Sequence, residues 1–150
     1  MADDKGTFRP IGEGDAPMYG TPAIIIAGFE PVQQQTIRWL LNQLEMQDIP
    51  LTVLAKGDGD ATVHSLTQRP DGTNMGTELK LPTTIILSGL IEKQLHRIMT
   101  AYREMPLPRP MWASVTPTSA KWTAKSLLKH LVEERMSLKK AREAADANSV

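Results

Sequence analysis

Apolar positions recur in two runs of the same shape. Ala23-Ile24-Ile25-Ile26-Ala27-Gly28-Phe29 and Thr84-Ile85-Ile86-Leu87-Ser88-Gly89-Leu90 match position by position. Both are continuous and rich in β-branched residues, the pattern of a strand covered on both faces. After the first, Pro31 is placed to open a helix. Val32, Thr36, Ile37, Leu40, Leu41 and Leu44 then mark its inward face. Pro50 ends that segment, and Leu51-Thr52-Val53-Leu54 reads as a second strand. After the second run, Leu95, Ile98, Met99 and Tyr102 mark another helix. Pro108 and Pro110 precede a strand over Met111 to Val115. The pattern predicts two strand-helix-strand units.

Residues 56–81 are polar and turn-rich, with Lys56-Gly57-Asp58-Gly59-Asp60 and Pro70-Asp71-Gly72. Between these turns, the alternation of Ala61-Thr62-Val63-His64-Ser65-Leu66 predicts an edge strand, and Met75 to Leu81 a further short extended piece. The second unit runs on through a Thr116-Pro117-Thr118 turn bracketed by Trp112 and Trp122. Thr123 is placed as an N-cap, and Trp122 can pack on Leu127 as a staple. A long helix follows, with Leu127, Leu128, Leu131, Val132 and Leu138 as its buried stripe.

The fold class expected is α/β, with two strand-helix-strand repeats sharing one compact sheet of four or five strands, plus a long C-terminal helix. Residues 1–21 read as a flexible lead-in, with Phe8, Ile11, Met18 and Tyr19 as its anchors if it orders on a partner. A single domain spans 22–146: repeat one at 22–55, a connection at 56–81, repeat two at 82–116 and the helix at 123–146. Two arrangements fit, a ferredoxin-like antiparallel sandwich or a small doubly wound parallel sheet.

Composition narrows the function classes. The 150 residues suit one core, and 41% hydrophobic with 23% charged residues predicts a folded, soluble chain. Lysine plus arginine equals aspartate plus glutamate at 17 each, so the basic footprint of a general nucleic-acid binder is absent. No cysteine is present, which excludes disulfides and thiol catalysis. The apolar runs are too short for a membrane span, and the first residues carry no leader signature. Peripheral membrane association stays compatible with this.

No catalytic, metal or cofactor set stands out. Gly28 and Gly89 end strands but belong to no phosphate-binding glycine motif, and a sharp turn explains them more simply. His64, His96 and His130 lie in separate elements without metal spacing. Asp58-Gly59-Asp60 reads as a turn. Ser114, Thr116, Thr118, Ser119 and Thr123 suit capping and turn bonding. Trp39 reads as a core or rim residue. Trp112, Thr116, Pro117, Thr118 and Trp122 are the candidate protein-binding residues, because indoles flanking one surface turn suit an interface.

Val115-Thr116-Pro117-Thr118, then Trp122-Thr123 and a helix with Leu127, Leu128, Glu133 and Glu134, resembles a bacterial and plastid family of small domains of unknown function, family 3783. Thr84 to Gly89 and Leu107-Pro108 also match in order. Ser119 and Lys121 stand where that family usually has Asn. The resemblance covers about 82–140. The longer, duplicated form is similar to the conserved region of a land-plant and green-algal family of photosystem I assembly factors. That resemblance implies a chloroplast stromal protein, peripheral to the thylakoid, with photosystem I subunits or a tetratricopeptide-repeat assembly factor as partner. It brings no catalytic residues.

The leading expectation is therefore a non-enzymatic, protein-binding assembly factor without cofactor. The alternative is a small nucleotide- or ligand-binding domain or enzyme at the Gly28 or Gly89 turn, with a bacterial cytoplasmic location as the alternative to the stroma. An RNA-binding module ranks last, because Ala23–Ala27 and Thr84–Ser88 carry no aromatic residue to stack a base.

Overall fold

The computed structural model describes residues 18–148. Phe8 and Ile11 of the lead-in lie outside them. The four strands are β1 (Ala23–Ala27), β2 (Leu51–Val53), β3 (Thr84–Ser88) and β4 (Met111–Ser114). The helices are α1 (Pro31–Gln43), α2 (Val63–Leu66), α3 (Glu92–Arg103) and α4 (Ala124–Asn148), with 3-10 turns at Asp58–Asp60 and Ser119–Lys121. Sheet order is β2-β1-β3-β4. β1 runs parallel to β2, β3 runs parallel to β4, and the two pairs meet antiparallel at β1 and β3.

This is neither arrangement expected from the sequence. A ferredoxin-like sheet is antiparallel throughout, whereas the outer pairs here are parallel. A doubly wound sheet is parallel throughout, whereas the central pair here is antiparallel. The cause is local. A helix between two strands returns the chain to its starting end, which makes each strand-helix-strand unit parallel. The units then join through their first strands, the most apolar ones.

The halves correspond in detail. Each counterpart lies 61 positions later, as Ile24 to Ile85 and Leu51 to Trp112 show. The antiparallel pair is centred on Ile25 opposite Ile86, which are counterparts of one another, so a local two-fold axis passes there. The same axis relates two bonds at 2.9 Å on the other layer: Val63 N–H to the Trp122 carbonyl, and Ala124 N–H to the Ala61 carbonyl. Caps correspond too. The side-chain carbonyl of Gln33 accepts from Glu30 N–H at 2.9 Å, and that of Gln94 from Ile91 N–H at 3.0 Å. Thr62 accepts from Ser65 N–H and Thr123 from Ser126 N–H, both at 3.1 Å, so the N-cap expected at Thr123 is present.

Thr62 also corrects the sequence reading. Ala61–Leu66 is not an edge strand: Thr62 caps the single helical turn α2, and Val63 and Leu66 point inward together. Their three-residue spacing outweighs the apparent alternation. Residues 56–66 are thus the counterpart of 117–127 rather than connection. Met75 to Leu81 forms no strand.

All ten residues of β1 and β3 are buried. On one face, α1 and α3 cover Ile24, Ile26, Ile85 and Leu87 with Ile37, Leu40, Leu41, Ile98 and Tyr102. On the other, Ile25 and Ile86 meet Val63, Leu66, Ala124, Leu127 and Leu128. Burying each of those leucines contributes roughly 1.5–3 kcal/mol. Two side chains placed inward by sequence face solvent instead: Val32 is 76% exposed and Leu138 is 66% exposed. α4 outlasts the sheet, and residues 133–146 are exposed. No helix among the described residues is long and apolar enough to cross a membrane.

One buried polar residue escaped the sequence reading. Gln34 is fully buried, and its side chain is satisfied. Its amide nitrogen donates to the carbonyls of Phe29 (3.0 Å) and Thr77 (2.6 Å), and its oxygen accepts from Gly76 N–H (2.8 Å). Burial of an amide is tolerable only on such terms.

Gly28 and Gly89 sit at φ +82° and +67°, where side chains are disfavoured. A Cβ on Gly28 would meet the Leu81 carbonyl oxygen and lie 2.9 Å from the Pro82 carbonyl carbon. One on Gly89 would lie 2.5 Å from the Gly20 carbonyl oxygen. Gly28→Ala should therefore lower unfolding free energy by about 1–3 kcal/mol, read as a lower urea midpoint at unchanged slope.

Candidate protein-binding surfaces

The two tryptophans that bracket the turn are not brought together. Trp112 packs on the α1–α3 layer, edge-on to Tyr102 with ring centroids 5.3 Å apart. Burial pushes the Tyr102 phenol up to about 12, and its hydroxyl donates to the Pro108 carbonyl. Trp122 packs on the opposite layer with Leu127, edge-on to His130 at 5.1 Å. Thr116, Pro117 and Thr118 are exposed between them. Below that turn Ser119 is buried and accepts from Thr116 N–H at 3.0 Å, while Ser119 N–H donates to the Thr116 hydroxyl at 3.0 Å. The hydroxyls thus cap the 3-10 turn.

The glycine turns leave no opening for a phosphate. The chain's own backbone at 81–82 and 20–22 fills the space beside them. Among the described residues, no three His, Asp or Glu side chains are grouped to hold a metal ion.

The halves differ most at their outer edges. In β2 the backbone groups of Leu51 and Val53 face away from the sheet, and a following segment meets all four. Asp71 carboxylate accepts from Leu51 N–H (2.8 Å), and Gly72 N–H donates to the Leu51 carbonyl (2.8 Å). Val53 N–H donates to the Thr73 carbonyl (2.9 Å), and the Asn74 amide donates to the Val53 carbonyl (3.1 Å). Asp71 is also paired with Arg38 at 2.9 Å. Met75 packs on the core below, and Gly76 and Thr77 bind Gln34. Residues 71–77 thus seal the β2 edge.

Their counterparts in the second half lie within α4, which does not turn back. The outward groups of β4 belong to Trp112 and Ser114, and no described residue bonds to them. Leu51, Thr52 and Val53 are all buried, whereas Trp112 and Ala113 are half-buried and Ser114 is exposed. Beside β4 lies an open groove of about 550 Å³, lined by Met99, Arg103, Met105, Leu107, Arg109 and Trp112. Sequence singled out Trp112 but not this groove, because the contrast with β2 needs the paired edges.

A second exposed surface lies on α1. Trp39 is 52% exposed and borders a recess of about 660 Å³ with Pro31, Val32, Gln35, Met105 and Pro106. Val32, Gln35, Thr36 and Trp39 stand three, four and seven residues apart, one helical stripe opposite the buried one. That spacing was a readable signal for a second face.

Asp58 anchors the sealing segment. It takes two bonds of 3.0 Å from the Arg69 guanidinium, one of 2.8 Å from Ala55 N–H and one of 3.3 Å from the Asn74 amide. Burial pushes its carboxyl up. The Arg69 and Ala55 hydrogen bonds and the Arg69 charge outweigh this and hold it below the ordinary 3.8. A depressed carboxyl contributes stability that is present above the unfolded-chain value and lost as pH falls through the folded one. Asp58→Asn should cost about 1–3 kcal/mol at neutral pH, with the gap to wild type closing below pH 3.8. Amide exchange at Leu51 and Val53 should speed up in that variant.

No curated protein and no solved structure matches the chain. Residues 83–138, which hold β3, α3, β4 and the first part of α4, match the family model DUF3783, a domain of unknown function.

Proposed function

We propose that the chain is a non-enzymatic, protein-binding module that assists assembly of a larger complex. The observation that carries this reading is Trp39, more than half exposed beside an apolar recess on a packed helix. Exposed indoles on rigid elements are characteristic anchors of protein interfaces, and clustered exposed apolar surface marks interaction sites. The exposed Thr116-Pro117-Thr118 turn adds a second presented surface, with Trp112 and Trp122 supporting it from opposite layers.

The finer reading rests on the resemblance of the longer, duplicated form of the chain to a family of photosystem I assembly factors. It makes the protein an assembly factor for photosystem I on the stromal side of the thylakoid, engaging photosystem I subunits or a tetratricopeptide-repeat factor. On the same reading the first half is a diverged second copy of the matched domain, in keeping with its constant register. The alternative, a ligand site at Gly28 or Gly89, draws no support from turns filled by the chain's own backbone.

Capture from a chloroplast extract tests both levels. Tagged protein should retain stromal-side photosystem I subunits or the repeat factor. Trp39→Lys, a change at an exposed position expected to alter stability by no more than about 0.5 kcal/mol, should lower capture at least tenfold. Equal capture by Trp39→Lys and wild type removes the α1 surface from the interface. Absence of photosystem components removes the finer reading.

A further inference from the structure

The two outer edges occupy equivalent positions about the same local axis, yet one is sealed by residues 71–77 and the other, among the described residues, is open. We infer that the β4 edge and the adjoining groove receive an extended segment of a partner protein, which adds to the sheet there and meets the outward groups that the turn at 71–74 meets at β2. This rests on the reading of the chain as a protein-binding module, but it turns on the β4 edge and not on Trp39, whose recess adjoins the groove at Met105.

The sealed edge states the chemistry of the occupant. A guest must present donors and acceptors to Trp112 N–H and C=O and to Ser114 N–H and C=O, as the Asp71 carboxylate, Gly72 N–H, Thr73 carbonyl and Asn74 amide do for Leu51 and Val53. Unpaired strand edges are natural templates for such addition. The guest must also place an apolar side chain in the groove, as Met75 does on the core of the first half. Met99, Met105, Leu107 and Trp112 offer that apolar contact.

Charge selects the rest. In the sealed half, one carboxylate, Asp71, caps the strand and pairs with Arg38. Met99 is the counterpart of Arg38, but the open groove carries Arg103 and Arg109 instead. Both residues are exposed, and neither guanidinium has a carboxylate partner among the described residues. The fitting guest is a short acidic-apolar segment in extended form. Such charge matching sets which partner is accepted more than how tightly it binds.

A synthetic peptide of the chain's own sealing segment, Pro70 to Thr77, serves as the first probe, and the same peptide with Thr77→Glu as the second. Each is titrated against the full chain labelled with nitrogen-15. The expected result is saturable movement of the Trp112 and Ser114 amide signals, with at least tenfold tighter binding than a control peptide carrying Asp71→Lys. Ser114→Pro removes one outward N–H while leaving the bonds to β3 in place, and should weaken binding at least tenfold. Arg103→Glu combined with Arg109→Glu should reverse the preference toward the lysine peptide. Unmoved Trp112 and Ser114 signals with both probes, or binding indifferent to Ser114→Pro, overturn the inference. So does sedimentation showing a dimer that Ser114→Pro dissociates, since the edge then belongs to a second copy. Capture of a partner that survives Ser114→Pro but not Trp39→Lys, with no peptide binding, sinks the edge and spares the proposed function. Peptide binding without any partner captured does the reverse.

Discussion

The central pair of strands is apolar on both faces, and everything else in this molecule answers to that. β1 and β3 bury every residue they have. Their backbone groups are met only because each strand lies between two others. Neither unit alone could supply this. One strand-helix-strand unit covers one face and leaves its first strand bare along one side. Joining two such units through Ile25 and Ile86 removes both bare sides at once and sets α1 and α3 on a common face. The opposite face then requires its own cover, which the short helix α2, the 3-10 turn at Ser119–Lys121 and the start of α4 provide. The Val63–Trp122 and Ala124–Ala61 bonds tie that cover across the axis.

Closing the centre moves the unmet backbone groups to the rims. A sheet edge must be paired, covered or otherwise blunted. At β2 the chain has 17 residues for the task, Thr67 to Thr83, between α2 and β3. At β4 the corresponding length has been committed to α4, which continues as one helix with residues 133–146 in solvent. The same local plan therefore yields a sealed rim and, among the described residues, an open one. The difference arises from whether the chain turns after one helical turn, as at Thr67, or continues.

Much of this was legible in sequence where the signal was local. The paired Ile-rich runs located β1 and β3, Pro31 opened α1, and Thr123 capped α4. The long-range features were not. Strand order depends on which strands meet, and periodicity is silent on that. Nothing local in sequence marks Gln34 as buried, because Gly76 and Thr77, which bond its side chain, lie more than forty residues away. Val32 and Leu138 were drawn into buried stripes because an apolar residue at helical spacing is usually inward, and only the position of the sheet decides where that stripe stops. Trp112 and Trp122 looked adjacent because only nine residues lie between them, but the strand, turn and 3-10 segment there carry the chain from one layer to the other.

Asp58 and Ser119 make the difference between the halves concrete. They occupy equivalent positions and receive equivalent backbone bonds, from Ala55 N–H and Thr116 N–H. A hydroxyl suffices for that local duty, as Ser119 demonstrates. A carboxylate does more, because its second oxygen and its charge hold Arg69, and through Asn74 the segment along β2. Bidentate pairing of this kind fixes geometry as well as adding attraction. The charged residue stands in the half with a cover to hold, and the neutral one in the half without. The chemistry at the turn thus follows the state of the rim beside it, and the two edges differ through a coordinated set of side chains as well as through the segment at 71–77.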